Sequence, residues 1–187
     1  MTEQVSQRSP SSGPFPRGLV QVFTGDGKGK TTAALGAVIR ALGHGLRVCI
    51  IFFMKGDYPY GECNILSQLP NVKIAKFGSR QFIDSANIKP EEKEQAKKAL
   101  AAASEAMFSG SYDLVVLDEV NLAVAWGLVE LDEVIKLIKG KPQNVELILT
   151  GRKADTKLVQ LADLVTEMLA IKHPYNEGGK ARKGIEY

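Results

Sequence analysis

A run of glycines and hydroxyls, Thr24-Gly25-Asp26-Gly27-Lys28-Gly29-Lys30-Thr31-Thr32, joins an apolar strand-like stretch (Leu19 to Phe23) to a helical one (Ala33 to Leu42). No other feature constrains the fold as much. Glycines let successive backbone N–H groups turn towards one anion, and a helix N-terminus adds partial positive charge. In such a loop the lysine, here Lys30, reaches a terminal phosphate while the hydroxyl of Thr31 faces a magnesium ion. The loop also departs from the common pattern. Counted back from Gly29-Lys30-Thr31, G-x-x-x-x-G-K-[ST] places glycine at position 24, where Thr24 stands and Gly25 follows. It is shorter by one residue, so an unusual way of holding a nucleotide is expected.

Downstream, apolar runs alternate with helical patterns. Leu46 to Met54, Val72 to Phe77, Leu114 to Leu117, Val145 to Leu149 and Val165 to Ile171 read as strands two to six. Between them lie a short helix around Cys63 to Leu69, a long one from Pro90 to Phe108, and helices at Leu131 to Ile138 and Asp155 to Leu161. Pro90 with Glu91-Glu92 is a helix-start signal. Near-continuous apolar strands separated by helices predict an α/β fold, a mostly parallel six-stranded sheet with helices on both faces. With the glycine-rich loop, that is a single-domain P-loop (RecA-like) architecture spanning residues 18–187. Residues 1–17, rich in Ser and Pro, have little to bury and read as a separate tail, disordered or lid-forming.

In open parallel sheets, ligands gather at the carboxyl ends of the strands. Strand four ends in Leu117-Asp118-Glu119, where an acid at a strand tip suits magnesium. After strand two, Tyr58 and Tyr60 in Lys55-Gly56-Asp57-Tyr58-Pro59-Tyr60 suit flat ligand rings. After strand five, Thr150-Gly151-Arg152 presents a guanidinium beside the phosphate site.

The bulk properties exclude several classes. A net charge of +3 without a basic stripe argues against a nucleic-acid partner, although Lys172, Lys180, Arg182 and Lys183 make the C-terminal stretch locally positive. The two cysteines, Cys49 and Cys63, do not make a disulfide framework or a zinc site, which favours a reducing compartment, the cytoplasm. No apolar span is long enough for a membrane helix, and no signal-peptide core is present.

Taken together, Gly25 to Ala34, Ala41-Leu42-Gly43-His44-Gly45, Met54-Lys55-Gly56, Gly61-Glu62, Leu117-Asp118-Glu119, Leu149-Thr150-Gly151-Arg152, Lys172-His173-Pro174 and Gly178 to Tyr187 form a recognisable set. The set resembles the ATP:corrinoid adenosyltransferases of the phosphate-loop type, over about residues 18 to 187. The resemblance implies attack of corrinoid cobalt(I) on C5′ of ATP, with inorganic triphosphate leaving. It also implies a nucleotide lying reversed relative to ordinary loop NTPases, which would account for the short loop.

By match to the family motif, Lys30, Thr31 and Glu119 are the catalytic candidates, and Gly25, Asp26, Gly27, Lys28, Gly29, Lys30, Thr31, Thr32 and Arg152 bind ATP. Thr31, Glu119 and Asp118 hold magnesium, or manganese in its place. Apolar side chains in place of a lower axial ligand ease reduction of cobalt(II), which makes Phe82 and Ile83, in the loop after strand three, the candidates for the corrinoid side together with Tyr58 and Tyr60. The corrinoid could be cobalamin, cobinamide or cobyrinic acid a,c-diamide. The resemblance further implies an electron donor such as a reduced flavoprotein, and a homodimer. His44 and His173 read as turn-stabilising or packing residues. Two alternatives share the same motifs: a P-loop NTPase hydrolysing ATP with Glu119 as general base, and a kinase or non-catalytic nucleotide-binding module.

Overall fold

The structure is a computed structural model and describes residues 14–79 and 83–187. Its elements are β1 (Val20–Thr24), α1 (Lys30–Gly43), β2 (Val48–Phe52), α2 (Gly61–Leu66), β3 (Val72–Lys76), α3 (Pro90–Phe108), β4 (Leu114–Asp118), α4 (Val120–Ala125), α5 (Leu131–Gly140), β5 (Glu146–Thr150), α6 (Thr156–Leu161) and β6 (Leu164–Glu167), followed by a 3-10 turn at Pro174–Glu177. The six strands form one sheet in the order β3-β2-β4-β5-β1-β6. Every pairing is parallel.

Burial explains why the strands read as unbroken apolar runs. Side chains alternate across a strand, and both faces of this sheet are covered. Val48, Ile50 and Phe52 of β2 and Leu114 and Val116 of β4 pack on the face that carries Ala34 and Val38 of α1. Cys49, Ile51, Val115 and Leu117 point the other way, into a core built with α3, α4, α5 and α6. The helix α3 starts as expected, with Pro90 in its first turn and the Lys89 amide donating to the Glu92 carboxylate at 2.8 Å.

Two elements differ from the sequence reading. The last strand was expected over Val165 to Ile171, but β6 ends at Glu167 and its four residues are exposed. It pairs on one side only, with β1, up to Thr24↔Glu167. The helix α4 was not foreseen, because it is short and begins directly at the tip of β4.

Five strands turn sharply at their carboxyl ends. Gly25 (φ 94), Met54 (φ 59), Gly78 (φ 116), Glu119 (φ 64) and Gly151 (φ 129) all lie in the left-handed region, each within two residues of a strand end. Such conformations in Met54 and Glu119 are strained and collect at functional edges. Arg17, by contrast, bonds Asp163 at 2.6 Å, beside the start of β1, where the Val20 amide donates to the same carboxylate. Arg17 thus lies at the amino-terminal end of the strands, opposite their carboxyl tips. Residues 1–13 of the N-terminal tail lie outside the described residues.

Candidate nucleotide site

The sheet order β4-β5-β1 puts three strand tips side by side, and one carboxylate ties them together. Asp118, at the end of β4, accepts a 2.7 Å hydrogen bond from the Thr150 hydroxyl of β5 on Oδ1. The same oxygen accepts a 2.8 Å bond from the Thr31 hydroxyl, in the first turn of α1. Its other oxygen, Oδ2, is ion-paired with Lys55 Nζ at 2.7 Å. Asp118 is only 1% exposed. Both of its oxygens are engaged by neighbours.

Glu119 is different. Its backbone amide donates to Thr150 Oγ1 at 2.9 Å, while its buried Oε2 has no hydrogen-bond partner among the described residues. Burial, then the neighbouring Asp118 charge, pushes the Glu119 carboxyl above the ordinary glutamate range. An unpartnered buried carboxylate oxygen is costly, and Glu119 lines a cavity together with the glycine-rich loop.

The glycine-rich loop is held by its own lysine and by Met168, the residue after β6. Lys30 Nζ donates to the carbonyls of Gly25 (2.8 Å) and Gly27 (2.7 Å). Burial lowers the Lys30 ammonium from the ordinary lysine value, with Glu119 acting in the opposite direction. The Gly27 amide donates to Met168 O at 2.6 Å, and a Cβ on Gly25 would lie 2.5 Å from that same carbonyl. Glycine at 25 is therefore required twice, by its positive φ and by the close approach. Thr24, standing where the usual loop has its first glycine, completes β1 and accepts from the Ala154 amide at 3.2 Å. No side chain caps α1. The amides of Lys30, Thr31 and Thr32 have no intrahelical acceptor and are available to an anion.

These groups face a cavity of about 690 Å³ lined by residues 27–32 of the loop together with Lys55, Tyr60, Glu62, Glu119, Arg152 and His173, and closed on one side by residues 184–187. Burial opposes the charge of Lys55, but Asp118 more than offsets it and holds the ammonium above the ordinary lysine value. The ammonium also sits 4.9 Å from the Phe52 ring centroid and 4.6 Å from that of Tyr60. Arg152 faces Asp26 at 3.7 Å, a mostly exposed pair of little energetic consequence.

Among the described residues no group of three or more His, Cys, Asp or Glu could hold a metal by itself. The oxygens present, Thr31 Oγ1 and Glu119 Oε2, suit a hard cation that keeps waters and takes its remaining ligands from phosphates, which is the habit of magnesium.

The structure thus brings together Lys28, Gly29, Lys30, Thr31, Thr32, Glu119, Arg152 and Tyr60, and places Asp118 directly behind them. It does not bring Ile83 there. Ile83 is partly buried and packs against the α3-side core. Phe82 lies outside the described residues. His44 is exposed at the end of α1, its amide donating to Ala41 O; the His173 carbonyl accepts from the Asn176 amide at 3.0 Å, and His173 also lines the cavity. Sequence reasoning missed the pairing of Lys55 with Asp118, the Thr150 bond to the same carboxylate, and the contact of residues 184–187 with the loop. Only the Met54-Lys55-Gly56 triplet at the end of a strand hinted at the first.

An all-parallel α/β sheet, a glycine-rich anion loop at the tip of β1 and an acid pair at the tip of β4 define a phosphate-loop protein. Comparison with known proteins narrows the class. The family described as ATP:corrinoid adenosyltransferase BtuR/CobO/CobP matches residues 16–187. The corrinoid adenosyltransferase of Escherichia coli (strain K12) is 36% identical over 171 residues, which is 91% of this chain and 86% of that protein. That of Pseudomonas aeruginosa is also 36% identical, over 91% of this chain and 84% of its own length. The corrinoid adenosyltransferase CobA of Salmonella typhimurium gives 36%, 91% and 86%. The chain belongs to the ATP:corrinoid adenosyltransferase family, and is a transferase with ATP as co-substrate. No helix among the described residues is long and apolar enough to cross a membrane.

Proposed function

We propose that this protein moves the 5′-deoxyadenosyl group of ATP onto the cobalt(I) of a reduced corrinoid and releases inorganic triphosphate. The observation that carries the reading is the cavity. Loop amides, Lys28, Lys30 and Arg152 converge there on one space beside an acid with a free oxygen, in a chain of this family. Its volume, about 690 Å³, suits a nucleotide-sized ligand.

In the reaction, the cobalt(I) electron pair forms a bond to C5′, the C5′–O bond breaks, and its electron pair leaves on the triphosphate. The nucleophile carries no proton, so the site needs no general base. The protein's tasks are to hold C5′ in line with cobalt and to stabilise the charge collecting on the leaving group. Lys30 turns from the Gly25 and Gly27 carbonyls to the phosphates, joined by the amides at the start of α1. Thr31 and Glu119 hold magnesium, and Asp118, already bonded to Thr31, Thr150 and Lys55, orients the threonine. At that position magnesium would neutralise part of the triphosphate charge. On the corrinoid side the apolar contact falls to Phe82, since Ile83 packs against the α3-side core. A reducing partner such as a flavoprotein, a homodimer and a cytoplasmic setting complete the reading.

Product analysis tests it. With chemically reduced corrinoid and ATP, the expected products are adenosylated corrinoid and inorganic triphosphate. ADP and phosphate in equal amounts would mark a hydrolase.

A further inference from the structure

The stretch from Gly184 to Tyr187 lies against the phosphate loop, some 150 residues away in the chain. Lys28 Nζ donates to Ile185 O at 3.0 Å and to Glu186 Oε1 at 2.8 Å. Glu186 is held from the other side by Arg182, whose Nε and NH2 donate at 3.2 and 3.0 Å and whose backbone amide donates at 2.7 Å. The turn closes with the Gly184 amide on Tyr187 O at 2.6 Å. Gly184 has φ 79, a conformation that glycine adopts without strain.

This turn delivers Tyr187 to two other tyrosines. Its ring centroid is 5.5 Å from that of Tyr58, edge-on at 70°. Tyr58 in turn lies 4.9 Å from Tyr60. Tyr60 and Tyr187 both line the cavity that the phosphate loop lines. Tyr60 and Tyr187 therefore share one space with the phosphate cradle, with Tyr58 packed behind them.

We propose that residues 184–187 are a working wall of the nucleotide site, latched to the loop through Lys28, Glu186 and Arg182, and that Tyr187 and Tyr60, backed by Tyr58, form the aromatic pocket for the adenine of ATP. The inference rests on the function proposed above for the nature of the nucleotide. Tyr60 then contacts the nucleotide, not the corrinoid, and Tyr58 supports the two lining rings from behind. The volume decides between a wall and a plug: about 690 Å³ remains open with the turn in place, well within the range that takes a small ligand. A segment that blocked the site would leave no such space. Neighbouring aromatic rings favour tilted and edge-on contacts and supply flat, apolar faces for a base.

Calorimetric titration of the full chain with magnesium-ATP and with inorganic magnesium-triphosphate tests the wall and the pocket separately. Tyr187→Ala should weaken ATP by about tenfold and leave triphosphate unchanged, with KM for ATP raised and kcat retained. Tyr187→Phe, which keeps the ring, should bind ATP like the parent. Equal weakening of both ligands, unchanged ATP affinity or tighter ATP binding in Tyr187→Ala would overturn the pocket. The two readings fail separately. If the parent binds ATP through Tyr187 but makes no adenosylated corrinoid, the function falls and the pocket stands. If adenosylation proceeds while Tyr187→Ala leaves ATP affinity intact, the pocket falls and the function stands.

Discussion

Lys55 Nζ stands 2.7 Å from Asp118 Oδ2, joining the loop after β2 to the tip of β4 through an ion pair whose acid is 1% exposed and whose lysine is 11% exposed. With Thr31 and Thr150 bonded to Oδ1 and the Lys55 ion pair as the contact of Oδ2, Asp118 is tied to the protein, whereas Glu119 Oε2 has no hydrogen-bond partner among the described residues. Removing one partner of a buried pair strands the other charge, at about 3 kcal/mol. Lys55→Met should therefore lower the unfolding midpoint in a thermal melt. Adding Asp118→Asn should recover part of the loss; strict additivity of the two changes would show that the pair does not couple.

Lys30 donates to two loop carbonyls, and in the proposed reaction it transfers those bonds to the leaving triphosphate. Lys30→Ala should cost about 3 kcal/mol of transition-state stabilisation, roughly a hundredfold or more in rate, by analogy with loss of one oxyanion donor. Single-turnover adenosylation with ATP at saturation reads this directly. Near-parental rates would remove Lys30 from the mechanism.

Glu119 separates metal binding from base catalysis. Its buried, unpartnered oxygen next to Asp118 is unfavourable for the fold. Glu119→Gln should thus raise the ligand-free melting temperature while raising the magnesium concentration needed for half-maximal activity. A variant that lost turnover at every magnesium concentration would point to a general base and to hydrolysis.

The Glu186 latch has a defined pH response. Arg182, then Lys28, hold its carboxyl well below the ordinary glutamate range. A depressed carboxyl favours the ionised, latched form. Its contribution is complete above the unfolded value of about 4.3 and is lost as pH falls below it. The ratio of ATP affinities between parent and Glu186→Gln should be flat from about pH 9 to pH 6 and shrink towards one only in acid. A ratio that changed near neutrality would assign the effect to another group.

Much of the fold was legible because it is buried on both faces. The strands β2 and β4 carry apolar residues at every interior position, and the loop between β1 and α1 carries its chemistry in consecutive residues. The same signal misled at β6, where Leu169 and Ile171 extend the apolar run past the last residue that pairs with β1, and both are exposed. Short-range patterns could not reveal α4, which begins from the left-handed Glu119. Nor could they reveal that Lys28 meets Glu186, since that contact spans 158 positions. Asp118 and Glu119 look alike in sequence; only the packing of Thr31, Thr150 and Lys55 around the first tells their roles apart.

Attack at carbon, with the phosphates leaving as one unit, is the central claim, and isotopic labelling of a single oxygen tests it. ATP carrying ¹⁸O at the position bridging C5′ and the α-phosphorus should be turned over with chemically reduced corrinoid. Mass spectrometry of the products should place the label entirely in inorganic triphosphate, with an unlabelled deoxyadenosyl group bound to cobalt. Label retained on the nucleoside, or found in ADP, would mean cleavage at phosphorus and would contradict the account.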